Sequence, residues 1–243
     1  MTLPSRFRRA FETTRPFVIA HRGASRVRHE NTIEAFAMAN LMGADMVELD
    51  VRLSADGAAV VHHDAVLTDG RAIADVAHTA LPLFVPDLAA ALDACRPMAV
   101  NIEIKNSATE PGYDPVARIA EVVAAVVFQG QIADRVLVSS FDEPTLLRLR
   151  TVAPDLATAL LVVHPAAGDL ERCVRNGFVA LHPHHSAVDA ALVTAAHRLG
   201  LAINTWTVDE PERMTELAAL NIDGICTNVP DVLIETIRSS SPE

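Results

Sequence analysis

Val47-Glu48-Leu49-Asp50-Val51 decides the reading of this chain. Val47, Leu49 and Val51 alternate with Glu48 and Asp50, the period-2 pattern of a strand with two unlike faces. Two residues apart on a strand, the two carboxylates point the same way, and no basic residue separates them. Two anions side by side on a half-buried strand repel, and each is costly to desolvate unless positive charge compensates it. A hard divalent cation with oxygen ligands, such as Mg²⁺ or Ca²⁺, is the simplest compensation. Taken alone, the pattern also fits an exposed strand end with two solvated acids. The surrounding sequence decides between them.

Upstream, an apolar run over 17–20 reads as a first strand and leads into His21-Arg22-Gly23. Asn31, with Glu34 three residues later, fits a helix N-cap with its returning acid. Ile33, Phe36, Ala37 and Leu41 then form a helical apolar stripe that Gly43 ends. The strand that carries Glu48 and Asp50 spans 46–53. A turn at 55–57 returns the chain over 58–61, which ends in His62-His63-Asp64. An irregular connection follows over 65–86, then a helix over 87–95 and a strand over 98–105. On that strand Asn101, Glu103 and Lys105 share one face, with Ile102 and Ile104 on the other.

Beyond it the alternation is regular. Helices are predicted over 115–128, 143–152, 169–176, 188–199 and 211–220, with a last one from Pro230 to about 237. Strands are predicted between them over 136–141, 157–163, 178–182, 201–207 and 224–227. With 58–61 set aside as a short β-hairpin arm after strand 2, eight strands are each followed by a helix. That is the α/β pattern of a TIM (β/α)₈ barrel. The length of 243 residues suits one such domain, typically ~250 residues, so 1–243 is expected to be a single domain. Within it, 1–15 forms an N-terminal extension, and 65–86 is too short for a large inserted subdomain.

The net charge of −11, from 20 basic and 31 acidic residues, argues against nucleic acid or an anionic membrane surface as partner. The cysteines Cys95, Cys173 and Cys226 are odd in number and lack metal-ligand spacing, as expected of reduced thiols in a reducing compartment. The N-terminus has no apolar signal core, and no apolar run reaches the ~18 residues of a membrane span. A cytoplasmic protein with no membrane span is expected, with a homo-oligomer left open.

A parallel barrel carries its active site at the C-terminal ends of the strands. His21, Arg22, Glu48, Asp50, His63, Asp64, Glu103, Lys105 and Trp206 all fall at or near such ends, so acids and histidines from distant segments face one mouth. This convergence favours the metal over the solvated strand end. Of the adjacent histidines, only one can enter the mouth. The cluster His182-Pro183-His184-His185 invites a zinc reading but lacks a fourth-ligand pattern, and is read as a pocket rim or substrate-specificity element, with ordinary loop histidines as the plain alternative.

The chain resembles the glycerophosphodiester phosphodiesterase family. The resemblance rests on His21-Arg22-Gly23, Glu30-Asn31-Thr32, Glu48-Leu49-Asp50, His63-Asp64 and Glu103-Ile104-Lys105. Ser140-Phe141, Thr205-Trp206-Thr207-Val208 and Asp223-Gly224 to Thr227 continue it in order. It implies a TIM barrel in which Glu48, Asp50 and Glu103 ligate one divalent cation, Ca²⁺ or Mg²⁺, with Mn²⁺ also compatible. His21 and His63 would be the acid/base pair, and the family pattern selects His63 over His62. Arg22 and Lys105 would hold phosphate oxygens, Trp206 would pack on the glycerol end, and Glu30 would belong to the same pocket. The implied reaction is metal-dependent hydrolysis of a small-molecule glycerophosphodiester to sn-glycerol 3-phosphate and an alcohol, through a cyclic phosphate.

Three departures stand out. His29 replaces the usual proline, Asn228 stands where aspartate is common, and the connection after Asp64 lacks the usual Leu-Asp-Arg-Thr-Thr run. The shortened connection points to a more open pocket or a different alcohol. Two alternatives remain: a lysophospholipase D-like lipid phosphodiesterase on the same site, and a catalytically silent glycerophosphodiester-binding protein.

Overall fold

The computed structural model describes residues 15–239, so all but Arg15 of the expected N-terminal extension lies outside the described residues. The first strands are β1 (Phe17–His21), β2 (Met46–Leu53) and β3 (Ala59–Val61). They are followed by β4 (Ala99–Ile104), β5 (Val136–Ser140) and β6 (Ala157–Val162). The last three are β7 (Ala180–Pro183), β8 (Ala202–Thr205) and β9 (Gly224–Thr227). The helices are α1 (Ile33–Met42), α2 (Leu88–Ala94), α3 (Arg118–Gln129) and α4 (Glu143–Val152). α5 (Asp169–Asn176), α6 (Ala190–Arg198), α7 (Pro211–Ala219) and α8 (Pro230–Ser239) complete the set.

The nine strands form one sheet in the order β1-β9-β8-β7-β6-β5-β4-β2-β3, and a β1–β2 pairing closes it. Among the strands of the described residues, β3 pairs with β2 alone, antiparallel, so eight parallel strands make the barrel. The fold class read from the sequence is therefore correct. On β2, Val47, Leu49 and Val51 face outward into the core between sheet and helices. Met46 belongs instead to the inner cluster, with Ile19, Ala99, Leu137, Ala157, Ala159, Ala180, Ala202 and Cys226. Small side chains dominate that inner layer and leave room beneath the mouth.

Several boundaries differ from the expectation, each for a local reason. Thr32, not Asn31, caps α1: its side chain accepts from Ala35 N–H at 3.2 Å. The capping box fails because the third residue after the true cap is Ala35 rather than an acid. Helix α3 starts at Arg118 rather than 115 because the Asp114 carboxylate first caps the loop, accepting from the backbone of Val116 and Arg118. β8 ends at Thr205, which puts Trp206 just beyond the strand. Connection 65–86 contains two short 3₁₀ turns and its own apolar cluster, in which Leu67, Ile73, Val76, Leu81 and Val85 pack on Val60. No helix among the described residues is long and apolar enough to cross a membrane.

Candidate active site

The register of the strands assembles the site. His21 on β1 lies opposite Glu48 on β2, and Asp50 lies opposite Glu103 on β4. Alternation turns Glu48, Asp50 and Glu103 inward together, and all three are buried. Each offers a carboxylate oxygen within 4.8 Å of the others, the metal-ligand grouping found among the described residues. His63 follows the β3 arm, which returns antiparallel on β2 and delivers the imidazole to the same mouth.

Two cations answer three anions. Lys105 Nζ lies 2.6 Å from Glu103 Oε1 and 3.2 Å from Asp50 Oδ1. Arg22 Nε lies 3.3 Å from Asp50 Oδ2, its Nη1 donates to Glu30 at 2.9 Å, and its backbone N–H donates to Glu48 Oε2 at 2.9 Å. Arg22 reaches all three from a left-handed backbone with φ of 54°. Glu48 Oε1 has no hydrogen-bond partner among the described residues although it is buried. Burial, then the anions of Asp50 and Glu103, push the Glu48 carboxyl well above the usual range. Burial pushes Glu103 up to about 7 against the pull of Lys105. At Asp50 burial is outweighed by Lys105 and Arg22, which hold its carboxyl down at about 2. An orphaned carboxylate oxygen, all-oxygen donors and an excess of one negative charge fit a hard divalent cation.

The histidines are oriented by outer partners. His63 Nδ1 lies 2.7 Å from Asp64 Oδ1, a carboxylate placed to orient the ring. His62 turns away, with Nδ1 2.9 Å from the Asp64 carbonyl. His21 Nδ1 lies 2.7 Å from Asn228 Oδ1, and its Nε2 lies 4.0 Å from Glu48 Oε2. Burial lowers both catalytic candidates, helped at His21 by Arg22, so both rings sit toward the neutral form.

A cavity of about 160 Å³ opens over these groups, with Trp206, Phe141 and Leu161 on its apolar side. Trp206 stands edge-on to Phe141 at 5.5 Å and to His184 at 5.1 Å, and donates from Nε1 to the His182 carbonyl at 2.9 Å. His182 itself is not on the rim. It is buried on β7 in the floor of the cavity, where Asn204 meets its Nε2 at 3.0 Å, and burial lowers its pKa to about 3. Glu30 stands at the edge, tied to Arg22 and apart from the three buried carboxylates. The sequence reading missed the service of Asn31: its Nδ2 donates to Asp50 Oδ2 at 2.8 Å, and its Oδ1 accepts from Asp50 N–H at 3.3 Å. A short polar residue inside the Glu30-Asn31-Thr32 motif was the available signal. Asp209, whose carboxylate accepts from Asn228 Nδ2 at 2.7 Å and from Thr227 Oγ1 at 3.0 Å, was also missed, and nothing in its local sequence marks it.

Fold and site place the chain among (β/α)₈ barrels with an acidic, histidine-flanked mouth at the strand C-termini. The profile of the glycerophosphoryl diester phosphodiesterase family matches residues 21–232. A glycerophosphodiester phosphodiesterase from Caldanaerobacter subterraneus subsp. tengcongensis is 31% identical over 242 residues, covering 91% of this chain and 97% of its own. An Oleispira antarctica phosphodiesterase, solved in complex with the product sn-glycerol-3-phosphate, superposes with a TM-score of 0.86 at 25% identity. The superposition covers 94% of this chain and 99% of the other. A Thermotoga maritima glycerophosphodiester phosphodiesterase gives 0.72 at 26% identity, over 90% and 97% of the two chains. This chain belongs to the glycerophosphoryl diester phosphodiesterase family.

Proposed function

We propose that this enzyme hydrolyses glycerophosphodiesters to sn-glycerol 3-phosphate and an alcohol, with one divalent cation and two histidines. The observation that carries this is the buried trio Glu48, Asp50 and Glu103, flanked by His21 and His63 and neutralised only in part by Arg22 and Lys105. The product bound in the Oleispira relative supports the substrate class.

Glu48, Asp50 and Glu103 would hold the cation, which when bound polarises a phosphoryl oxygen as a Lewis acid. Arg22 and Lys105 supply the remaining positive field for charge that develops on the phosphate oxygens. One imidazole takes the proton of the attacking glycerol hydroxyl, and the other gives a proton to the departing alkoxide. The phosphorus–oxygen bond to the alcohol breaks as the ring bond forms. Water then opens the cyclic phosphate, with the imidazoles exchanging roles. Asp64 holds the His63 ring, and Trp206 with Phe141 shields the apolar side of the pocket. The three buried free cysteines support a reducing, cytoplasmic setting.

The test is release of sn-glycerol 3-phosphate from glycerophosphocholine in a coupled assay, after EDTA and then with Ca²⁺, Mg²⁺ or Mn²⁺. Activity restored by metal is the expected result; no product with any metal from folded protein would sink the reading. One observation favours the lipid alternative. Leu83 is fully exposed and Phe84 half-exposed against His29, beside the Glu30 edge of the site. Faster turnover of a lysophospholipid than of glycerophosphocholine would select that alternative.

A further inference from the structure

Resting on the acid/base reading of His21, we propose that Asn228, locked by Asp209, is a positioning residue that fixes the His21 ring as its Nδ1–H tautomer. Nε2 is thereby left as the proton-accepting nitrogen toward the reacting centre. An amide has two unlike ends, and a carboxylate can only accept. Asn228 lies 2.7 Å from Asp209 Oδ2, so the end that faces Asp209 must be its NH₂. The end that faces His21 at 2.7 Å is therefore the carbonyl oxygen, which can only accept. Ser25 Oγ, at 2.9 Å, donates to the same oxygen. The His21 nitrogen on this side must carry its hydrogen, which leaves the lone pair on Nε2.

Asp209 is itself held in place. Its Oδ1 accepts from the Asn228 backbone N–H at 2.9 Å and from Thr227 Oγ1 at 3.0 Å. The amide thus cannot turn over without setting its carbonyl oxygen against the Asp209 carboxylate. The loops after β8 and β9 meet here and aim one side chain at β1. An aspartate at 228 would set two carboxylates against each other at this distance. The Asn228–Asp209 pair gives the ring a fixed acceptor without that repulsion.

The test is the tautomer of His21, read from two-bond ¹H–¹⁵N correlations of the ring in the intact ¹⁵N-labelled protein, beside the kinetics of three variants. Wild type is expected to show protonated Nδ1 and bare Nε2. Asn228→Ala should mix the tautomers and lower kcat about tenfold to a hundredfold, the usual cost of losing such a partner. KM should stay within about twofold, because substrate contacts are untouched. Asp209→Asn frees the amide to turn and should do the same. The double variant D209N/N228D restores one acceptor and one donor in the reverse order, and should recover the tautomer and most of kcat. A wild-type ring protonated on Nε2, or a folded Asn228→Ala with unchanged kcat, would overturn the proposal. If wild type cleaves no glycerophosphodiester, the activity reading fails, while the ring spectrum still decides the tautomer.

Discussion

At the scale of single residues, the site behaves as a charge-balance problem solved twice. With two cations against three buried carboxylates, Glu48 keeps an unsatisfied oxygen that a divalent ion would claim. Binding to the folded state alone stabilises it by about 2.7 kcal/mol at a hundred times Kd. For a chain of this size that is a rise in Tm of roughly 5–10 °C. Glu48→Gln should fold, since Arg22 and Lys105 then match the two remaining carboxylates, but should lose the rise in Tm with Ca²⁺ or Mg²⁺. An undiminished rise in calorimetry would remove Glu48 from the ligand set. His63→Ala should lower turnover by about 10²–10⁴-fold and leave metal affinity nearly intact. Titration calorimetry beside the coupled assay separates the two effects.

At the scale of elements, one close approach sets where Arg22 can reach. Gly23, with φ of +81°, lets the loop after β1 run against the first turn of α1. A Cβ there would stand 2.6 Å from the Ala35 carbonyl carbon. The left-handed backbone alone costs a non-glycine residue about 1–2 kcal/mol. Gly57 has a similar φ of +79° but nothing within 4 Å of its would-be Cβ. Gly57→Ala should therefore show the backbone cost alone. Gly23→Ala should show that cost plus the clash, with activity lost because Arg22 moves. Equal denaturation midpoints for the two variants would contradict the close-packing account.

At the scale of the whole molecule, the small inner layer of the barrel leaves a buried imidazole in the floor of the candidate cavity. His182 is neutral when folded, with burial lowering it to about 3, whereas an unfolded histidine titrates near 6.5. Below 6.5 the unfolded chain binds a proton that the folded one refuses. Stability is therefore complete above 6.5 and falls as pH drops toward 3, by up to about 1.4 kcal/mol per pH unit. His182→Gln keeps an acceptor for Asn204 and removes the titration. Its urea midpoint should fall less steeply than that of wild type between pH 6 and 4. Parallel curves would show that the group does not resist protonation.

The alternation around Glu48 and Asp50, the eight strand–helix repeats and the three carboxylates were legible in the sequence, because strand periodicity and barrel topology fix which residues turn inward and at which end. Gly43, which ends α1, was a local signal of the same kind. What the chain order could not disclose were pairings across long separations. Asn31 serves Asp50 instead of capping α1, because Thr32 takes the cap and frees the amide to turn inward. His182 lies in the floor of the cavity, not at its rim, because its β7 position points into the barrel. Asn228 meets His21 from 207 residues away. A side-chain hydrogen bond depends on tenths of an ångström between elements that only the closed barrel brings together, and no local pattern carries that distance.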